Sequence, residues 1–74
     1  MNQKDRQVMS HVYDVVNRIS GMYPNNPADT KLKFSCLDRI NKSTGHLVHA
    51  LSHLNYQEHA DAIESANLAF KALD

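Results

Sequence analysis

Leu37, Ile40, Thr44, Leu47, Leu51 and Leu54 follow one another in steps of three and four. That spacing is the a/d repeat of helices packed side by side, so it predicts one long helix with these side chains on its inner face. Asn55-Tyr56-Gln57-Glu58 follows at once and has the form of a new helix start, with Asn55 and Glu58 as a capping box. A connection that short forces the two helices antiparallel and adjacent.

Upstream, Val8, Val12, Val15, Val16 and Ile19 recur at helical steps and predict an amphipathic helix over about 4–20, closed by Gly21. Tyr23-Pro24-Asn25-Asn26 reads as a loop. Asn26-Pro27-Ala28-Asp29 then supplies a cap, a proline at the first helical position and an acid in the first turn. The central helix is therefore expected over about 27–54, reaching about 42 Å at 1.5 Å per residue. Gly45 inside it costs about 1 kcal/mol relative to alanine, but the seam passes it in phase, which favours one helix. The last helix is expected over 56–73, with Tyr56, Ala60, Ile63, Ala66, Phe70 and Leu73 inward. The expected fold is all-α: a three-helix bundle, one domain over 1–74, with a long central helix and a tight antiparallel hairpin to the C-terminal helix. The two shorter helices could cover the long one if helix one packs mainly along its first half and helix three along its second, an open arrangement that leaves grooves.

A chain of 74 residues buries only about 60% of its unfolded surface, which leaves little room for a deep substrate cleft. Lys and Arg number 8 against 8 Asp and Glu, a balance unlike the basic footprint of a dedicated nucleic-acid binder. The charge is uneven, however. Residues 1–28 carry +1 (Lys4, Arg6, Arg18 against Asp5, Asp14), and 29–45 carry +2 (Lys31, Lys33, Arg39, Lys42 against Asp29, Asp38). Residues 46–74 carry −3 (Lys71 against Glu58, Asp61, Glu64, Asp74). The polar N-terminus shows neither a signal peptide nor a membrane span, and a lone Cys36 suits a reducing compartment, so a cytoplasmic home is expected. Opening on Met without a tag, the chain is read as a complete small gene product.

Histidine is the enriched chemical group. His46, His49 and His53 share one helix face, and His49 with His53 has the i, i+4 spacing of a metal clamp. No Glu stands where a metalloprotease HExxH motif needs it, and the reading is a solvated outer face with no metal and no cofactor. Cys36, between helical apolar neighbours, reads as a small buried hydrophobe rather than a nucleophile. Asp61 and Glu64 read as an ordinary acidic surface pair, and two glycines cannot build a phosphate loop. No catalytic residue is assigned.

Helix one has an apolar face too wide for a single neighbour, because Met9, Tyr13, Met22 and Tyr23 add a second flank to its valine stripe. Either a closed bundle buries that flank or a second chain meets it. Leu47-Val48-His49-Ala50-Leu51-Ser52-His53-Leu54-Asn55-Tyr56-Gln57-Glu58-His59-Ala60 resembles the tight hairpin of tetratricopeptide-type helix pairs. It is also similar to the last hairpin of the helical domain shared by steroid receptor RNA activator protein and the outer COPII coat subunit. The resemblance spans under half of the chain, brings no function with it, and a single pair makes no solenoid.

The function expected is that of a non-catalytic protein-binding module, a homodimer in the cytoplasm that serves as a regulator, adaptor or inhibitor. An inhibitor encoded by a phage or mobile element would fit by analogy. The surfaces expected to meet a partner are Met9, Tyr13 and Tyr23 on helix one and His46, His49 and His53 on the central helix. The alternative is weak nucleic-acid binding through Lys31, Lys33, Arg39 and Lys42, a short cationic strip without an aromatic platform.

Overall fold

The computed structural model describes residues 2–22 and 30–74, with the side chains of the central helix from Cys36 onward. Three helices follow in order: α1 (Gln3–Ser20), α2 (Thr30–Asn55) and α3 (His59–Lys71). The expected helix start at Asn26-Pro27 and Tyr23 lie outside the described residues, as do the side chains of Lys31 and Lys33. α2 passes Gly45 unbroken.

Each boundary has a local cause. Asn2 caps α1, its side-chain oxygen accepting the Asp5 N–H at 2.8 Å, so one of the first turn's free donors is satisfied. Gly21 closes α1 by returning its N–H to the Asn17 and Arg18 carbonyls, yet its backbone stays right-handed. The hairpin corrects the capping box expected at Asn55 and Glu58. Asn55 is the last residue of α2, and Gln57 turns left-handed at φ 61°. Gln57 donates its N–H to the Leu54 carbonyl at 3.0 Å and Glu58 to the His53 carbonyl at 2.9 Å. These crossed bonds make a Schellman C-cap, which satisfies the last carbonyls of α2 and consumes the residues expected to open the next helix. α3 therefore starts at His59, with Tyr56 outside it.

Two contacts set the direction of the hairpin. Ser43 Oγ donates to the Ala69 carbonyl at 2.8 Å, and His53 Nδ1 lies 3.2 Å from Glu58 Oε1, so numbers fall along α2 as they rise along α3. At the start of α1, Asp5 Oδ1 meets His59 Nε2 at 2.7 Å, an offset of 54 residues. The buried Val8, Val12 and Val15 keep that same offset from the buried Ala62, Ala66 and Ala69, so α1 runs parallel to α3. Hence the arrangement with α1 along the first half of α2 is not the one adopted. α1 packs chiefly on α3, beside the second half of α2; in the Ser43–Ala69 register α3 ends near the level of Asn41 and α1 near that of Asp38. The first two turns of α2 run on past them, in a rod of 45 × 16 × 16 Å.

The core is built from small side chains, and this turns the inner face of α2 away from the expected one. Ser43, Leu47 and Ala50 are buried and Ile40 and Leu54 pack against the core, whereas Leu37 and Leu51 are exposed large hydrophobics and Thr44 faces out. The seam has rotated by about 50° about the helix axis, half the angle between successive residues. On α3 the inner positions are Ala62, Ala66, Ala69 and Leu73, with Ile63 half-buried, while Ala60, Phe70 and Tyr56 face solvent. Serine and alanine let two helix backbones approach closely. Leu51 or Phe70 in their place would hold α2 and α3 apart and leave voids that forfeit dispersion contacts.

Candidate functional site

Two surfaces of the rod carry the residues singled out in the sequence, and α3 separates them. His59 and Asp61 are two residues apart, about 200° around the helix, so they lie on opposite flanks of α3. His59 meets Asp5 of α1, whereas Asp61 gathers with His53 of α2. α1 therefore lies on the side of α2 away from the histidines.

On the histidine side, His46 and His49 stand edge to face, their ring centroids 6.5 Å apart and their planes at 80°. His53 turns from them to the hairpin. Its Nδ1 lies 3.2 Å from Glu58 Oε1, and one ligating atom from each of His53, Glu58 and Asp61 falls within 4.8 Å of the other two. The Schellman turn causes this meeting, because the bond between the Glu58 N–H and the His53 carbonyl brings the two side chains to the same side of the chain. Glu58 is also free for it, since its carboxylate makes no capping bond to α3. His49 is exposed, and His46 and His53 are half-buried, so the face is less solvated than expected. Glu58 and Asp61 were not singled out for this site. No sequence signal marks a left-handed Gln57, and without it the acids have no reason to meet His53.

On the other side, the contact of α1 with α2 is sparse. By helical phase Thr44, Val48 and Leu51 share one flank of α2, about a quarter-turn from its buried seam, and Met9, Tyr13 and Val16 share one flank of α1. α1 touches α2 far less than α3, and several of these side chains stay open: Tyr13 is 60% exposed, Val16 42%, Val48 58% and Leu51 45%. A concavity of about 390 Å³ on this part of α1 is lined by Arg6, Met9, Ser10, Tyr13 and Asp14. Of the residues expected to meet a partner, Met9 and Tyr13 come together here. Val16, Val48 and Leu51 were missed as a surface, the last because it was assigned to the seam.

The cationic strip is partly cancelled where it is described. Arg39 is exposed, and Lys42 Nζ lies 3.2 Å from Asp38 Oδ2, an open i, i+4 ion pair. Cys36 is a half-buried free thiol. No helix among the described residues is long and apolar enough to cross a membrane. No family model matches the chain, and no curated protein or solved structure matches it either.

Proposed function

We propose that this chain is a non-catalytic protein-binding module, a cytoplasmic regulator, adaptor or inhibitor whose open apolar flanks on α1 and α2 take an amphipathic helix. In solution a second copy of the chain supplies that helix, making a homodimer. The observation that carries this reading is the set of open apolar side chains on two sparsely packed neighbouring helices: Tyr13 and Val16 on α1, and Val48 and Leu51 on α2. Two neighbouring helices offer the i, i+3, i+4 spacing that a third helix needs. Contiguous apolar surface of this kind marks interaction sites more often than it stays bare. A reducing compartment suits the free Cys36 thiol.

The alternative, a nucleic-acid site on Arg39 and Lys42, has weaker support, because Asp38 offsets the charge of Lys42. Light scattering over a wide concentration range tests the main reading. It predicts a dimer that Tyr13→Asp and Val48→Asp each convert to monomer while helicity by circular dichroism is kept. A chain that is monomeric throughout refutes self-association. Oligonucleotide binding that weakens steeply with salt and is lost on Arg39→Glu would favour the alternative instead.

A further inference from the structure

We propose that the α2–α3 hairpin is a binding site for a divalent transition-metal ion of the Zn²⁺ type, held by His53, Glu58 and Asp61 with water completing the shell. The three ligating atoms come from three places in the chain: the last turn of α2, the residue after the left-handed turn, and the first turn of α3. They still fall within 4.8 Å of one another. Two ligands each about 2.0–2.1 Å from a tetrahedral Zn²⁺ stand about 3.3 Å apart. The separation of His53 Nδ1 and Glu58 Oε1 is 3.2 Å. Asp61 supplies the third ligand from the first turn of α3, where it is exposed.

The donor set, one imidazole and two carboxylates, is the chemistry of Zn²⁺, Fe²⁺ or Mn²⁺ rather than of a thiolate-seeking ion. The local charge agrees. Two carboxylates face a histidine, and the nearest described cation on that flank of α2 is Lys42, eleven residues from His53 and already paired with Asp38. Most of the positioning is done by the backbone. The crossed hydrogen bonds of the Schellman turn fix the residues of His53 and Glu58 side by side, so the ion needs little further ordering of the chain. This differs from the i, i+4 clamp of His49 with His53 suggested by spacing, because the ligating atom of His53 gathers with those of Glu58 and Asp61 instead.

Untagged protein titrated with Zn²⁺ in a calorimeter decides the matter, with Co²⁺ absorption as a second readout. The expected result is one Zn²⁺ per chain and a rise in Tm on binding. Glu58→Gln and Asp61→Asn each weaken binding about tenfold or more while circular dichroism stays unchanged, and His49→Gln leaves affinity within about twofold. Co²⁺ should show no sulfur charge-transfer band, since Cys36 takes no part. Absence of binding overturns the proposal. So does binding that survives both carboxamide variants, or that is lost with His49 alone, since either assigns the ion to the helix-face histidines.

Discussion

Ser43, buried in the middle of α2, gives its hydroxyl hydrogen to the carbonyl of Ala69 on the facing helix, 2.8 Å away. That carbonyl lies in the last turn of α3, where the Leu73 N–H turns to Phe70 instead. Across the hairpin, Ser43 thus does for one helix end what a capping residue does within a chain. Ser43→Ala is expected to destabilise the protein by about 1–3 kcal/mol, because it strands a buried acceptor. Urea unfolding followed by circular dichroism measures it, and a change within about 0.5 kcal/mol would show the bond to be dispensable.

The rotated seam predicts that neighbouring residues respond in opposite ways. Ala50→Leu overfills the contact between α2 and α3 and should cost about 1–3 kcal/mol. Leu51→Ala, on the open flank of α2, should cost about 1 kcal/mol or less in the monomer. If the order were reversed in thermal unfolding, the seam expected from hydropathy would be the true one.

Asp5 and His59 join the first turns of α1 and α3 at 2.7 Å with both side chains 19% exposed, so water screens the pair only in part. A double-mutant cycle with Asp5→Ala and His59→Ala should give a coupling of about 1–2 kcal/mol. Amide exchange in the first turns of α1 should quicken in either single variant. A coupling near zero would leave α1 held by its valines alone.

Gln57 holds a left-handed backbone that costs an L-residue about 1–2 kcal/mol and glycine almost nothing. Gln57→Gly should therefore stabilise the chain by about 0.5–1 kcal/mol after the added freedom of the unfolded glycine is subtracted. Gln57→Val should destabilise it. The midpoint of thermal unfolding reads both.

Gly45 is the opposite case, a glycine that nothing requires. It lies on the outer face of an unbroken helix, and a methyl group added there meets no atom within 4 Å. Gly45→Ala should stabilise by about 1 kcal/mol. A loss of stability would point to an unseen partner crowding that face.

Much of the fold was legible because it depends on periodicity. The stripe Val8, Val12, Val15 and Ile19, the stop at Gly21 and the antiparallel hairpin all follow from spacing and turn chemistry. The phase of α2 was not. Hydropathy ranks Leu51 above Ala50 and sees little difference between Thr44 and Ser43, while the fold selects for size at that contact. The hairpin's mechanism was also hidden. Asn55 and Glu58 suit a cap as well in sequence as they do in other helices, and only the backbone angle of Gln57 shows that the chain takes a different turn. Two of the three residues of the hairpin site went unread for the same reason: His53 stood out, but Glu58 and Asp61 gain meaning only from that turn.

The contact of Ser43 and Ala50 with Ala62, Ala66 and Ala69 reverses the usual sense of a conservative substitution. At the four alanines an exchange that keeps hydrophobicity and adds two methyl groups is disruptive, whereas an exchange to serine is milder, and at Ser43 the hydroxyl itself is needed for the Ala69 carbonyl. Sequences sharing this architecture should therefore vary freely in their large residues along α2 and α3 while keeping a rhythm of small ones. An alignment scored on smallness at 43, 50, 62, 66 and 69 would find them in register, and one scored on leucines would set α2 out of phase.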